Sequence, residues 1–425
     1  MDGYSAFMLV ATAWVLMMTA PALALFYGGM TRSKSVLNMM MMSYLAVAVV
    51  GIVYVLWGWS MSFGTDVAGG FFGNPGEIFF LKGIGGDGYV AVAFQMTFAI
   101  ITAALISGAI ADRVKISSWI VFMPLWVTLS YFPIAHMVWG GGFISSHFPA
   151  QDYAGGTVVH INAGVAGLVL ALIIGKRVGF GKEPMKPHNL PLTMIGAGLL
   201  WFGWYGFNVG SIVFASDDEA EMVQQFITET GFTFLNTTLA TMAAMIGWLI
   251  VERLLHGKIT SLGAASGVVA GLVAITPACG AVTIGGAIWI GLIAGALCAW
   301  AVGLKYVVGM DDSLDVVGVH LVGGLAGTIL IGIFSNADAP GGVDGLLYGG
   351  GLSSLGNQFM AALIAVIWSA VMTAIIGYAI KFTMGWRVTE DAEVEGIDLD
   401  QHGEQGYELA PGLGGSTLKV DGSHA

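Results

Sequence analysis

Charge is what this chain has least of. Only 10% of its 425 residues are Asp, Glu, Lys or Arg, where a soluble domain carries about 25%, while 56% are hydrophobic. That mixture cannot clothe a surface facing water. Soluble enzymes alternate buried apolar segments with charged faces, and such faces are nearly absent between positions 1 and 380. Cysteine is scarce as well: Cys279 and Cys298 are the only two, both in apolar stretches, so neither a disulfide framework nor a thiolate metal cluster is indicated. Met1 to Gly3 lack a basic leader, and the first apolar run continues into Pro21-Ala-Leu-Ala-Leu-Phe-Tyr-Gly-Gly, which reads as a retained span. The net charge of −12 lies largely in loops and a C-terminal tail and points to no nucleic-acid partner.

What fills the chain is apolar runs of membrane length. A hydrocarbon core about 30 Å thick needs roughly 20 helical residues per crossing, with all backbone hydrogen bonds made internally. Runs at 5–28, 38–63, 91–110, 117–138, 155–175, 192–214, 232–253, 262–279, 283–304, 314–334 and 355–381 meet that rule and predict an all-α polytopic membrane protein with eleven transmembrane helices. The Gly-rich eighth run is open to a break. The 64 glycines do not argue against helices here, because small residues let transmembrane backbones approach closely.

Loop charges give an independent check on the count. Arg32 and Lys34, Arg113 and Lys115, Lys176, Arg177, Lys182 and Lys186, Arg253 and Lys258, Lys305, then Lys381 and Arg387 follow the odd-numbered spans. The other connections hold one cation, Lys82, among Asp66, Glu77, Asp87, Asp152, Asp217, Asp218, Glu219 and Glu221. The excess of cations on cytoplasmic loops orients the N-terminus outside and the C-terminus in the cytoplasm.

Two segments share a pattern. His160-Ile-Asn-Ala-Gly-Val-Ala-Gly and His320-Leu-Val-Gly-Gly-Leu-Ala-Gly both read His-x-x-x-Gly-x-Ala-Gly, 160 residues apart, in the fifth and tenth spans. Two five-span repeats must run oppositely through the membrane, which suggests a five-plus-five inverted repeat (about 5–175 and 192–334) around a central site, with an additional C-terminal helix at 355–381.

Two neutral imidazoles can share a hydrogen bond without burying net charge. From the residues alone His160 and His320 are a transport-path pair, a structural hydrogen bond or a metal site, the last weakened by want of a third ligand. Trp139, in His-Met-Val-Trp-Gly-Gly-Gly, and Phe98 offer aromatic faces to a cation or belong to a membrane-interface belt. Ser211 adds an acceptor lone pair. Asp152 reads as a helix-start scaffold or as part of an outer cation site, with the scaffold favoured because a bare carboxylate would hold cations indiscriminately. Asp311, Asp312 and Asp315 are helix caps or a cytoplasmic gate. No nucleophile, cofactor motif or coherent ligand set accompanies the histidines, so the residues indicate neither an enzyme nor a bound cofactor or metal.

The chain also resembles the ammonium transporter family, the Amt/Mep group. The resemblance rests on Ala24-Leu-Phe-Tyr-Gly-Gly, Val92-Ala-Phe-Gln-Met-Thr-Phe, Ile134-Ala-His-Met-Val-Trp-Gly-Gly-Gly, Ala154-Gly-Gly-Thr-Val-Val-His-Ile-Asn-Ala, Gly203-Trp-Tyr-Gly-Phe-Asn-Val-Gly-Ser, Thr276-Pro-Ala-Cys-Gly and Asp311-Asp-Ser-Leu-Asp-Val-Val-Gly-Val-His. It implies a homotrimer with one pore per subunit, eleven helices and an inverted repeat. It implies an external ammonium site at Trp139, Phe98 and Ser211 supported by Asp152, an aromatic constriction of Phe98 and Phe207, and twin pore histidines at His160 and His320. Thr276 and Asn208 resemble flanking structural positions. The implied activity is passage of ammonium or ammonia, with methylammonium as a second substrate, across a bacterial inner membrane, with net charge transfer preferred over passive ammonia permeation. A membrane ammonium sensor with a separate signalling partner is the alternative. Residues 1–387 then form the membrane domain, and 388–425 a cytoplasmic acidic regulatory tail that resembles the contact segment for a PII-type nitrogen regulator or, by composition alone, a solvated tail.

Overall fold

Apolar sequence in a bilayer has one economical solution, the helix, and the computed structural model is almost entirely helical. It describes residues 2–86 and 88–407; Asp87 and the tail beyond Tyr407 lie outside the described residues. Among the described residues, ten helices are long and apolar enough to cross a membrane. They are α1 (Gly3–Met30), α2 (Val36–Phe63), α3 (Gly88–Ile110), α4 (Ile116–His147), α5 (Gly156–Ile174), α6 (Leu190–Val209), α7 (Glu219–His256), α9 (Ile284–Val308), α10 (Val317–Phe334) and α11 (Ser353–Thr383). The shorter apolar helix α8 (Ser261–Ile275) lies between α7 and α9.

Several boundaries depart from the sequence expectation, the fourth helix running on to His147 among them, and three are instructive. The eighth run stops at Ile275, because Pro277 cannot continue the helix and the 276–281 segment turns on itself. Its 15 residues rise only about 22 Å, short of a full hydrocarbon core. The sixth helix ends at Val209 instead of running to 214. The seventh begins at Glu219 instead of 232, since Asp218 caps the N–H groups of Ala220 and Glu221 and the acidic first turn complements the helix dipole.

Helix α11 packs against both α5 and α10, the helices that carry the two histidines, while α7 packs along α8 and α9. Both histidine helices open with a widened turn of i to i+5 hydrogen bonds, at Gly156–Ile161 and Val317–Leu321. Large apolar side chains including Ile52, Ile246, Phe359 and Ile375 stand exposed on the outer surface, as lipid contact requires.

Connections rich in Lys and Arg converge at one end of the bundle. Arg177 pairs with Asp311 at 2.8 Å and Asp112 at 3.2 Å, and Arg113 donates to the carbonyls of Asp311 and Ala109. Lys305 pairs with Asp315 at 2.6 Å. The tail joins this end and is not freely solvated through Tyr407. Its short helices α12 (Glu390–Glu395) and α13 (Ile397–His402) place Asp398 on the N–H groups of Leu37 and Asn38 at 3.0 and 2.7 Å, and Glu393 between Arg387 and the Val178 N–H.

Candidate functional site

The two histidines meet. His160 Nδ1 lies 3.3 Å from His320 Nδ1, and the rings are nearly parallel with centroids 5.4 Å apart. Both are buried, and His160 Nε2 has no hydrogen-bond partner among the described residues. One Nδ1 must donate and the other accept, so whichever tautomers are present, the pair offers one Nε2–H donor and one bare Nε2 acceptor.

Glycine makes this meeting possible. A Cβ on Gly164 would sit 2.5 Å from the backbone nitrogen of Leu321, and a Cβ on Gly324 would sit 3.0 Å from His160 Cβ and 3.2 Å from the Ile161 nitrogen. Each glycine, four residues after one histidine, thus gives room to the turn bearing the other. That reciprocity is the physical content of the shared His-x-x-x-Gly pattern.

The histidines line an enclosed cavity with Trp204, Phe207 and a ring of aliphatic side chains from α1, α3, α6 and α8. About 10 Å³ is open there to the centre of a water-sized sphere, the scale of one small molecule. Trp204 stacks on His160 at 5.4 Å and donates its indole N–H to Thr276 Oγ1 at 2.8 Å. Asn208 donates to Thr237 Oγ1.

Phe207 closes one side of the cavity. Its ring stacks on Phe98 with centroids 4.0 Å apart and a tilt of 12°, and Trp139 stands edge-on to Phe98 at 6.0 Å. The Trp139 indole N–H is committed to the Asp152 carbonyl at 2.9 Å. Ser211 donates its hydroxyl to the Phe207 carbonyl at 2.8 Å and lines a cleft of about 320 Å³ with Phe94, Gln95, Tyr4 and the 210–213 segment. Phe94 connects the groups, packing on Phe98 at 4.9 Å and lining the Ser211 cleft. The cleft, the stacked rings and the histidine cavity therefore adjoin in sequence, although Ser211 itself is outside the cavity.

Asp152 spends both carboxylate oxygens on backbone. Oδ1 accepts from Gly155 and Gly156 at 2.8 and 2.6 Å, and Oδ2 from Thr157 and Val158 at 2.9 and 3.2 Å. Burial pushes its carboxyl above the ordinary range even against those four donors. The acceptors hold open the turn that carries His160. Asp312 does the same for His320, accepting from Val316 at 3.0 Å and Val317 at 2.7 Å. Burial and the neighbouring Asp315 push Asp312 up to about 6.

Of the acidic group after Lys305, Asp312 is thus the cap and Asp311 the Arg177 partner. The signal for Asp312 was present, since Asp152 and Asp312 both precede a histidine by eight residues. Glu229, buried on α7, carries no signal in the sequence, since it lies between the loop acids and the apolar run that begins at 232.

Known proteins resemble this chain over most of its length. The Ammonium Transporter Family profile matches residues 6–407. The ammonium transporter of Mycobacterium tuberculosis (strain ATCC 25618 / H37Rv) is 49% identical, over 97% of this chain and 91% of that protein. The crystal structure of Saccharomyces cerevisiae Mep2 superposes with a TM-score of 0.82 at 32% identity, covering 91% of this chain and 88% of that one. A structure titled Sensor Amt Protein gives 0.84 at 27% identity, covering 94% and 98%. The chain belongs to the ammonium transporter family, and is a membrane transporter of ammonium or ammonia rather than an enzyme.

Proposed function

We propose that the chain recruits ammonium at an outer site formed by Trp139, Phe98 and Ser211, strips a proton at the Phe98–Phe207 constriction, and passes ammonia along His160 and His320 with net charge transfer. The observation that carries this reading is the 3.3 Å contact between two buried histidines in a cavity bounded by Phe207, itself stacked on Phe98.

Recruitment follows from the chemistry of the groups. With its N–H engaged, Trp139 offers a face, and an aromatic face attracts a partly desolvated cation by about 2 kcal/mol. Ser211 Oγ keeps lone pairs for an ammonium N–H after donating its own hydrogen to Phe207. Asp152 supports the site by holding Trp139 through its carbonyl and the following turn through its carboxylate. The stacked rings leave no passage for a hydrated ion, and dehydrating ammonium costs far more than dehydrating ammonia, so the constriction favours release of the proton.

Beyond the constriction the imidazoles give a neutral solute one donor and one acceptor. A proton accepted at the bare Nε2 can cross the Nδ1–Nδ1 hydrogen bond while another leaves the opposite Nε2–H, which supports net charge movement. Pure ammonia permeation uses the same cavity without that relay.

The architecture we infer counts α8 as a crossing, for eleven in all, and relates α1–α5 to α6–α10 as an inverted repeat with α11 added. Paired His and Gly positions in α5 and α10, each with an Asp just before the helix, support it. The cation-rich end is taken as cytoplasmic, giving an external N-terminus in a bacterial inner membrane. Residues 1–387 form the membrane domain, and the tail from 388, docked at that end as far as Tyr407, is the expected contact for a PII-type regulator on a homotrimer. Methylammonium is the expected second substrate.

The test is the membrane potential of proteoliposomes after an ammonium pulse, read with a voltage-sensitive dye. Wild type should become inside-positive and His160→Ala/His320→Ala should lose that response; identical traces would sink the twin-histidine path. Sensing is the second reading, favoured by the likeness to the structure titled Sensor Amt Protein, and wild type without flux would select it.

A further inference from the structure

One buried carboxylate lies outside this mechanism. Glu229, near the start of α7, is 3% exposed, and both its oxygens accept hydrogen bonds. The Tyr153 phenol donates to Oε1 at 2.7 Å and Gln225 Nε2 to Oε2 at 2.7 Å. Neither donor is a cation, so a charge pair does not explain the group.

The donors lead to two different parts of the proposed outer site, Tyr153 toward Trp139 and Gln225 toward the 211–213 wall of the cleft. Tyr153 follows Asp152, whose carbonyl holds the Trp139 indole. Its own backbone is pinned to the Pro277 carbonyl at 3.1 Å, and its ring lies so close to Gly280 that a Cβ there would be 2.4 Å away. On the other side, Gln225 Nε2 donates to the Val213 carbonyl and Oε1 accepts from the Ala215 N–H, both at 3.0 Å. Those bonds fix the amide's orientation and tether the segment that begins at Ser211. Glu229 is therefore the junction between the strand of chain behind Trp139 and the strand of chain behind Ser211.

We propose that Glu229 is a positioning residue of the outer ammonium site, setting the spacing between its Trp139 and Ser211 walls through Tyr153 and Gln225. The inference rests on the reading of Trp139, Phe98 and Ser211 as the recruitment site. A carboxylate suits the junction because it accepts from two donors at once. Glu229 touches no substrate, so its loss acts on capture more than on passage.

The test is the ammonium concentration dependence of transport by full-length protein in liposomes, read as KM and maximal rate. Glu229→Met removes both acceptors and suits a membrane helix; it should raise KM roughly three- to tenfold with a smaller change in maximal rate. Glu229→Gln keeps an acceptor and should shift KM less. Tyr153→Phe in the Glu229→Met background should add little, because the two share one network. If Glu229→Met does not reach the membrane, Tyr153→Phe and Gln225→Leu, each cutting one arm, carry the same expectation. An unchanged KM in these variants, beside a raised KM in Trp139→Leu, overturns the proposal and leaves the outer site intact. A fall in maximal rate alone also overturns it. An unchanged KM in Trp139→Leu removes the recruitment reading itself.

Discussion

Asp152 and Asp312 stand in equivalent places, each eight residues before one of the paired histidines and each giving both carboxylate oxygens to N–H groups of the turn that carries it. Asn at 152 can direct only one carbonyl oxygen at four N–H groups. Leaving a buried donor unmet costs about 1–3 kcal/mol. Asp152→Asn should therefore lower both the melting temperature in detergent and the ammonium flux, and Asp152→Ala should lower them further. Wild-type flux in Asp152→Ala would remove the scaffold role.

The reciprocal approach of α5 and α10 makes a second prediction. Gly164→Val puts a branched side chain where even a Cβ meets Leu321 backbone at 2.5 Å, a clash that neither backbone relieves without separating the histidines. Overpacking of this kind costs about 1–3 kcal/mol, and flux should fall with stability. Gly198→Ala is the control, since nothing lies within 4 Å of its added methyl. Equal behaviour of the two variants would contradict the packing account.

Much of this was legible in the chain, and the reasons are physical. Spans are readable because lipid demands about 20 apolar residues per crossing, and the histidine motif because its glycines are required by contact, not propensity. The start of α7 was not legible: Glu219, Glu221 and Glu229 look like loop residues until Asp218 is seen capping the helix and Tyr153 and Gln225 are seen on Glu229. Docking of the tail was hidden for the same reason, because Asp398 and Glu393 read as solvated charges while their acceptors' partners, Leu37, Asn38 and Val178, lie more than 200 residues away in sequence.

Acid stability should depend on Asp311. Burial alone would raise its carboxyl, but the Arg177 guanidinium, bound through both oxygens, holds it below the ordinary carboxylate range. A depressed folded pKa means the contribution is complete above about pH 4 and is lost as pH falls through the folded value. Asp311→Asn leaves the buried Arg177 with Asp112 as its remaining carboxylate and should lower stability at neutral pH by less than the roughly 3–5 kcal/mol that breaking a buried pair outright costs. The gap in melting temperature between wild type and Asp311→Asn should close on acidification; a gap that widens there has the wrong sign for this account.

Removing the Phe207 ring should open the constriction. The Phe98–Phe207 stack at 4.0 Å is the proposed barrier between cleft and cavity, and dewetted aromatic constrictions exclude water. Phe207→Ala proteoliposomes should swell faster than wild type in a stopped-flow osmotic jump. Unchanged water permeability would place the barrier elsewhere.

The central claim is that the His160–His320 pair carries ammonium-derived nitrogen with net charge. The most direct test is the current across a solid-supported membrane fused with proteoliposomes, after equal pulses of ammonium and potassium. The account predicts an ammonium-specific current in wild type that is lost in His160→Ala/His320→Ala. Absence of current in wild type, with ammonium-dependent internal alkalinisation retained, would contradict it and leave neutral ammonia permeation in its place.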